Sequence, residues 1–364
     1  LYIVDGILYV DQYTINGDAP GRKIFMDGGE LQVITGFPSN YDPPAFNAGK
    51  VTFTILSSPG PAITIPASGS TPGVAQYHDL TIRGHRGYSD ITFSSQGELR
   101  IGGTLDISQL NFNTFNLGNT RMRTNGSTIV FNGDNQNIPR NTLQTGGDPH
   151  QFRLYFDKLK IAGTGTKTII DGNQRIFGEV ILDSATFSTG NYDLDIRGDW
   201  TSNGGDFQAN DRTVYFNSTQ PDDTNRIKAF GNEFNDVVVE GVGIVKHQSA
   251  LADTMKVRGD WTITGTFNPG NETVEFTGTG QQTLNFDTKI TFNNVVVNNT
   301  GTVSEAIRLP DNNETMEILN DLNFVSGNIW ARSNREVICW GDASRTGTGF
   351  LDGNLALSIP SGTT

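Results

Sequence analysis

VRGDWTITGTFNPGNETVEFTG, residues 257–278, follows the pattern of an earlier segment, IRGDWTSNGGDFQANDRTVYFNS, residues 196–218. Each begins with Arg-Gly-Asp-Trp after a β-branched residue, continues through a turn-forming stretch and reaches a valine, one variable residue and a phenylalanine two residues before its end. Similarity over this length indicates an internal repeat. The repeat constrains the fold more strongly than the Arg-Gly-Asp tripeptide does.

The composition favours many short strands joined by tight turns. Hydrophobic residues make up only 35% of the 364 residues, and there are 43 glycines, with Asn, Asp, Thr and Ser between short apolar runs. These residue types suit turns because they tolerate unusual backbone angles or bond to their own backbone. The net charge of −13 argues against a nucleic-acid binder and against attraction to an anionic membrane surface.

Three short patterns recur along the chain. The first is an aromatic residue followed by an apolar alternation, in YHDLTI (77–82), FDKLKI (156–161), FNDVVV (234–239) and FNNVVV (292–297). The second is a strand signal ending in Phe, in KVTFT (50–54), TIVFNG (128–133), TVYFNS (213–218) and TVEFTG (273–278). The third has apolar ends and a variable middle, in IGGTL (101–105), IRGDW (196–200), VRGDW (257–261) and ILNDL (318–322).

Period-two alternation along these strands predicts which side chains face the core. The predicted buried residues are Trp200, Phe216, Trp261 and Phe276. In FNNVVV the aromatic residue is out of phase with the valines, which predicts a corner or bulge at 293–294. The segments 57–73 and 133–152 lack an alternation and are predicted to be loops.

Strand signals of this kind, about 20 residues per coil and without helices, favour an all-β fold. We predict a right-handed parallel β-solenoid (β-helix) built from irregular repeats, in which one coil is one complete turn of the solenoid. Tandem β-sandwich domains are the alternative, because they also show strands every 8–12 residues. The predicted divisions of one continuous solenoid are an N-terminal β-rich segment, 1–76, and repeat units 77–155, 156–233, 234–291 and 292–364, the last one truncated.

The Arg-Gly-Asp tripeptide, which integrin-type receptors read, could mark a receptor ligand. The residues of this integrin-like motif are Arg197, Gly198, Asp199, Arg258, Gly259 and Asp260. A receptor-binding tripeptide lies at the tip of a mobile loop, whereas here it is embedded in an alternating strand pattern with apolar ends. We therefore interpret it as part of the solenoid framework.

Catalytic and metal-binding patterns are weak, so we predict no enzyme, no cofactor and no metal site. The single cysteine, Cys339, lies in a strand-like segment and is interpreted as a buried core thiol. The four histidines do not show metal-ligand spacing. Carboxylates are numerous, however, and paired carboxylates on a solenoid face could serve a lyase or hydrolase. A carbohydrate-active or glycan-binding β-helix is therefore the alternative function, and a phage tail-fibre segment is a third option.

The segments RGDWTITGTFNPGNETVEFTGTGQQTL…TFNNVVVNNTG and FVSGNIW…GFLDGNLALSIPSGTT resemble repetitive β-rich regions of very large surface and secreted proteins of Bacteroidota. Those proteins are exported by the type IX secretion system, and some are gliding-motility adhesins. The resemblance covers roughly 75–364 and implies a non-catalytic, extracellular stalk or adhesin segment at the cell surface. It also implies O-glycosylation at Asp-Ser/Thr motifs, which makes Ser184 and Thr254 candidate sites on exposed turns.

The expected partners follow from the same resemblance. They are the secretion and translocation machinery during export and, in addition, a surface polysaccharide or a host or prey glycan. We expect no nucleic-acid partner, and no membrane insertion of this segment because no stretch approaches the ~20 apolar residues of a membrane span. The absence of an initiator Met and of a signal peptide indicates a fragment of a longer protein.

Overall fold

The fold is a parallel β-solenoid, as predicted from the repeats. The computed structural model describes residues 1–10, 15–17, 21–34, 36–55, 63–86, 91–93, 97–112, 126–140, 156–248, 252–310 and 313–357. These ranges contain no helix, and therefore none long and apolar enough to cross a membrane. The strand pairs whose register is defined all run parallel, which rules out the alternative of tandem β-sandwiches, since their sheets are antiparallel.

The chain divides into two compact units, Leu1–Tyr192 and Asp193–Thr364. The first unit contains eighteen strands in the described ranges. They are β1 (Tyr2–Ile3), β2 (Ile7–Val10), β3 (Phe25–Met26), β4 (Glu30–Val33), β5 (Lys50–Ile55), β6 (Ile63–Ile65), β7 (Asp79–Arg86), β8 (Ile91–Phe93), β9 (Glu98–Ile101), β10 (Leu105–Asp106), β11 (Leu110–Phe112), β12 (Thr128–Phe131), β13 (Gln136–Ile138), β14 (Lys158–Ile161), β15 (Thr166–Ile169), β16 (Gln174–Ile176), β17 (Val180–Leu182) and β18 (Thr186–Ser188). Its main parallel ladders are β2–β4–β5–β7, β9–β12–β14–β17 and β13–β15–β18.

The second unit contains the remaining strands in the described ranges. They are β19 (Leu194–Ile196), β20 (Trp200–Ser202), β21 (Phe207–Gln208), β22 (Thr213–Ser218), β23 (Thr224–Lys228), β24 (Glu233–Phe234), β25 (Asp236–Gly241), β26 (Ile244–His247), β27 (Thr254–Val257), β28 (Trp261–Ile263), β29 (Thr266–Asn268), β30 (Thr273–Phe276), β31 (Gln282–Asn285), β32 (Lys289–Phe292), β33 (Asn294–Asn298), β34 (Ile307–Arg308), β35 (Thr315–Ile318), β36 (Leu322–Ser326), β37 (Asn328–Cys339), β38 (Ala343–Arg345) and β39 (Phe350–Leu357). Most strands pair with the third strand along the chain, so one coil has three faces.

The register of the second unit gives the length of one coil. Along one face, Leu194 pairs with Val214, Val214 with Val237, Val237 with Trp261, and Trp261 with Leu284. Successive coils are therefore 20, 23, 24 and 23 residues long, close to the predicted length. Unequal coils are accommodated because each coil contacts mainly its two neighbours, and extra residues can be placed at a corner.

The core consists of inward-facing side chains stacked from coil to coil. Trp200, Phe216, Trp261 and Phe276 are all fully buried, which confirms the predicted register. The indole of Trp200 packs edge-to-face on Phe234, with ring centroids 5.2 Å apart. Aromatic contacts of this kind add roughly 0.5–1.5 kcal/mol to the stabilisation from buried area.

Corners between the faces account for the irregularities in the pattern. Strand β32 ends at Phe292 and β33 begins at Asn294, so the predicted corner is confirmed. Phe292, Val295 and Val297 are all buried, although they lie on different faces of the coil. The predicted loops are only partly loops. Segment 57–73 contains β6 and segment 133–152 contains β13, while 57–62 and 141–152 lie outside the described residues.

The repeat units that start at 77, 156, 234 and 292 begin at such corners. Their opening aromatic residues, Tyr77, Phe156, Phe234 and Phe292, are fully buried. The boundaries therefore coincide with a structural feature, while the division into these particular units stays a prediction.

Candidate functional site

Both Arg-Gly-Asp tripeptides form corners between two strands. The first lies between β19 and β20, and the second lies between β27 and β28. The flanking residues Ile196, Trp200, Val257 and Trp261 are buried on both sides of each corner. The expectation that the tripeptide lies within a single strand is therefore wrong. The chain turns there, and the apolar residues on either side enter the core from adjacent faces.

The aspartates of the tripeptides bond to the next coil. Oδ1 of Asp199 accepts the N–H of Arg226 at 2.7 Å, and Oδ1 of Asp260 accepts the N–H of Thr283 at 2.7 Å. In each case the donor belongs to the residue directly above the aspartate in the parallel register. A carboxylate that accepts a backbone N–H makes a charge-assisted hydrogen bond. The two aspartates therefore join successive coils.

The same arrangement recurs at corners that lack an Arg-Gly-Asp sequence. Oδ1 of Asp236 accepts the N–H of Asp260 at 2.8 Å, so Asp236 and Asp260 form consecutive steps of one ladder. Burial raises the pKa of Asp260, and the Asp236 carboxylate adds to the rise, while the N–H of Thr283 opposes it. Asp79 and Asn135 bond in the same way to the coil above them. We call this set of hydrogen bonds the corner ladder.

The arginines and glycines of the tripeptides also have local roles. Nη2 of Arg258 lies 3.2 Å from Asp211 Oδ1, and Nε of Arg197 lies 3.5 Å from Asp195 Oδ2. A side chain at Gly259 would collide with Oδ1 of Asp236, so the close approach of the ladder carboxylate requires glycine there. The charged groups of the motif are thus held in contacts within the solenoid.

We expect the Asp260→Ala variant to lose stability rather than adhesion. Removing an acceptor from a charged hydrogen bond costs about 1–3 kcal/mol, because the N–H of Thr283 loses its partner. Urea unfolding measures this loss, and Asp222→Ala, at an exposed position, serves as the control. Integrin-dependent cell attachment that disappears in the Asp260→Ala variant while its stability is unchanged would contradict this assignment.

The two candidate glycosylation residues occupy different environments. Ser184 is exposed on a bend between β17 and β18, where its Oγ donates to the carbonyl of Gly163 at 3.1 Å. Thr254 is the first residue of β27 and is half-buried. The expectation of an exposed turn holds for Ser184 and is wrong for Thr254, because the preceding Asp253 is buried and fixes the start of the strand.

Asp253 belongs to a buried cluster of titratable side chains with His247 and Glu272. Its Oδ2 lies 3.6 Å from Nε2 of His247, and a Glu272 carboxylate oxygen accepts the N–H of Asp253 at 2.5 Å. Burial acts to raise the pKa of Asp253. The contact with His247 and the N–H groups of Ala229 and Thr254 outweigh it, and the pKa falls below its ordinary value of 3.8.

This lowered pKa gives a testable pH dependence. The ionised Asp253 carboxylate stabilises the folded chain above the pKa it has when unfolded, and this contribution is lost as the pH falls through the lower folded value. We therefore expect the stability difference between the wild type and Asp253→Asn to be largest near neutral pH and to shrink in strong acid. Urea midpoints across this range measure it. A difference that is constant with pH would show that the charge of Asp253 does not stabilise the fold.

Buried glutamines form a further type of link between coils, which the sequence analysis did not identify. The side-chain amide of Gln136 donates to the carbonyls of Ile101 and Gly103, at 2.9 and 2.6 Å. Gln282 makes the equivalent bonds to the carbonyls of Val257 and Gly259, both at 2.9 Å. The signal was present, since in FNGDNQ and FTGTGQQ a glutamine follows the Phe-x-Gly at the end of the second pattern.

Lys167 is a fully buried cation, with no exposed surface. Its ammonium group donates to the carbonyls of Gly133 and Asp134, at 2.8 and 2.5 Å, and to the carbonyl of Thr164. Three donors therefore meet three backbone acceptors from two adjacent coils. A lysine in the interior is tolerated only when its charge is satisfied in this way.

Cys339 is buried, as predicted, and its Sγ donates to the carbonyl of Asn320 at 3.3 Å. Burial raises the pKa of the Cys339 thiol, which disfavours the reactive thiolate. Within the described ranges, no three His, Cys, Asp or Glu side chains lie together in a way that would hold a metal ion.

Comparison with known proteins does not assign a family. No protein-family model matches the chain, and no curated protein and no solved structure matches it significantly.

Proposed function

We propose that the chain is a non-catalytic stalk or adhesin segment of a large bacterial cell-surface protein that is exported by the type IX secretion system. The observation that carries this proposal is that many polar side chains of the chain form hydrogen bonds between successive coils. Asp199, Asp236 and Asp260 bond to the backbone of a neighbouring coil, and so do Gln282 and Lys167. Side chains committed to holding coils together suit a load-bearing element.

The outward positions support the same proposal. On the face formed by β22 and β25, the outward pairs include Asn217 with Glu240, whose side chains are hydrogen-bonded at 2.7 Å. On the face formed by β30 and β33, Nδ2 of Asn298 donates to Glu275 at 2.8 Å. On these faces, outward polar side chains are therefore hydrogen-bonded to side chains of the adjacent coil. The extracellular location rests on the sequence resemblance and on the high net negative charge, −13, which keeps the chain soluble.

Surface labelling in the source bacterium tests the proposal. An epitope tag inserted at Asp222, in the exposed connection between β22 and β23, should be accessible to antibody on intact cells. Inactivating the outer-membrane secretion pore should abolish this labelling and leave the protein in the periplasm. A tag that is detected only after permeabilising wild-type cells would contradict the proposal.

Glycosylation gives a second test, with a control within the same chain. We expect sugar on Ser184 and none on Thr254 in protein from the source bacterium, because Ser184 is exposed on a bend whereas Thr254 is half-buried at the start of a strand. Peptide mass spectrometry should show a modified Ser184 peptide whose extra mass is lost in Ser184→Ala and retained in Thr254→Ala. A modified Thr254 beside an unmodified Ser184 would contradict the structural distinction.

A further inference from the structure

A turn in the second unit displays an aromatic side chain at a strained position. Residues Ala229–Phe230–Gly231–Asn232 connect β23 to β24, and the N–H of Asn232 bonds to the carbonyl of Ala229 at 3.2 Å. Phe230 has a φ of +54° and Gly231 has a φ of +77°, the combination found in type I′ turns. Asn, Asp and Gly are preferred at the first of these positions, and a bulky residue there is an outlier.

Two other turns of the same unit contain the residue types expected at this position. The turn between β21 and β22 has Asn210 with a φ of +52°. The turn between β29 and β30, at the same corner as Phe230, has Gly270 with a φ of +59°. Phe230 is therefore the exception among three comparable turns. Strain at a position where the fold could have used glycine or asparagine indicates a role for the side chain itself.

The neighbouring contacts hold the strained turn in place. The N–H of Gly231 donates to the carbonyl of Thr254 in the next coil at 2.9 Å. Nδ2 of the buried Asn232 donates to the carbonyl of Ala229 at 3.0 Å and to that of Gly205 at 3.2 Å. The turn is thus fixed from the coil above and from the coil below, and Phe230 is 59% exposed.

Two polar side chains, Lys228 and Asn203, lie close to this turn. Nζ of Lys228 lies 5.9 Å from the centre of the Phe230 ring and donates to Oδ1 of the exposed Asn203 at 2.8 Å. An ammonium has three donors, so Lys228 can bind a further acceptor. The group combines an apolar ring, an amide and a cation, so the positive charge at this corner is local, although the net charge of the chain is −13.

We propose that Phe230, Lys228 and Asn203 form a binding site for a polysaccharide that contains uronic acid. A pyranose ring has one face rich in C–H groups, which suits contact with an exposed aromatic ring, and a rim of hydroxyls, which suits an amide. The carboxylate of a uronic acid is complementary to the Lys228 ammonium. This inference deepens the adhesin part of the proposed function and rests on the exposure of this surface outside the cell.

A protein partner fits the site less well. Stable protein interfaces bury about 800 Å² on each partner around a cluster of apolar or aromatic anchors. Among the described residues of this corner, Phe230 is flanked by Lys228, Asn203 and Gly231, which offer one ring and not a cluster. A single ring with hydrogen-bonding neighbours matches one sugar unit of a long chain, whose affinity grows by repetition along the polymer.

Calorimetric titration of the whole chain tests the site, with hexagalacturonate as the acidic probe and maltohexaose as its neutral counterpart. The variants are Phe230→Asn, which suits the left-handed turn and removes the ring, and Phe230→Tyr, which keeps the ring. Lys228→Gln removes the cation. Val242→Asn, at another exposed apolar residue of the same unit, is the control.

We expect the wild type, Phe230→Tyr and Val242→Asn to bind hexagalacturonate and not maltohexaose. Phe230→Asn and Lys228→Gln should each bind at least about tenfold more weakly, the loss that corresponds to one modest contact. Phe230→Asn should also unfold at higher urea concentration, because its strain is relieved. Three results would each overturn the proposal. They are equal binding of both sugars by the wild type, no binding of hexagalacturonate by the wild type, and a Phe230→Asn variant that is no more stable than the wild type. Surface labelling of cells is independent of these outcomes, so a failed site leaves the stalk proposal standing on its own test.

Discussion

Deleting residues 214–236 should leave the second unit folded, whereas deleting only 214–224 should unfold it. The longer deletion removes one complete coil, because Val214 and Val237 occupy the same position in adjacent coils. After this deletion, Val237 follows Thr213 and takes the place of Val214. Its new neighbour below is Leu194, the former partner of Val214, and its neighbour above remains Trp261. Nearest-neighbour stacking is thus restored, at the cost of one coil's contribution to stability.

The shorter deletion has a different effect. It removes 11 residues, about half of the 23-residue coil, so the strands that follow meet the wrong faces of the coil below and no longer cover its core side chains. It also leaves about half a coil, which cannot close around the three faces. Exposing several core side chains at about 1.5–3 kcal/mol each exceeds the margin by which a domain is usually stable.

Far-UV circular dichroism and thermal melting measure both deletions. The 214–236 deletion should keep a β-sheet spectrum and a cooperative melt, and the 214–224 deletion should lose the melt of the second unit. Similar behaviour of the two deletions, whether both fold or both unfold, would contradict the register described above.

Replacing Lys167 by Met should destabilise the first unit by about 1–3 kcal/mol. Methionine has a similar length, so the volume of the core changes little. The carbonyls of Gly133, Asp134 and Thr164, however, lose the ammonium donor, and that of Gly133 keeps only the N–H of Thr164. A polar group that loses its partner in the interior costs about 1–3 kcal/mol, and water at the exposed residues Asp134 and Thr164 replaces part of the lost bonding.

The matched control is Lys158→Met, at an exposed position of β14 in the same unit. It should change the free energy of unfolding, measured in urea, by less than about 0.5 kcal/mol. A Lys167→Met variant as stable as this control would show that the carbonyl cluster does not depend on the ammonium group.

Much of the fold was predictable because period-two alternation follows directly from strand geometry. The buried positions Trp200, Phe216, Trp261 and Phe276 were found in this way. The same regularity concealed the corners at the Arg-Gly-Asp tripeptides. Ile196 and Trp200 are four positions apart, an even spacing that also fits one straight strand, so the pattern gave no sign that the chain turns between them.

The polar framework was less accessible to sequence reasoning. Asp260 and Gln282 bond to residues of neighbouring coils more than twenty positions away, and only the three-dimensional register brings these atoms together. Lys167 occupies an inward position of β15 that alternation would assign to an apolar residue. Phe230 is the reverse case, an apolar residue at an exposed position. A phenylalanine in an apolar and glycine-containing segment looks like an ordinary core residue, so the sequence did not reveal its exposure.

The parallel stacking of coils is tested most directly by paired pyrene labels on β22 and β25. In a Cys339→Ser background, one variant has cysteines at Tyr215 and Val238, and another has them at Asn217 and Glu240; both are outward-facing pairs in register. Paired positions on adjacent strands lie about 4.8 Å apart, close enough for two pyrenes to stack. Both pairs can be close only if the strands run in the same direction, because an antiparallel arrangement that brings one pair together separates the other. The parallel solenoid predicts strong excimer fluorescence from both variants, and excimer emission from only one of them, or from neither, would contradict it.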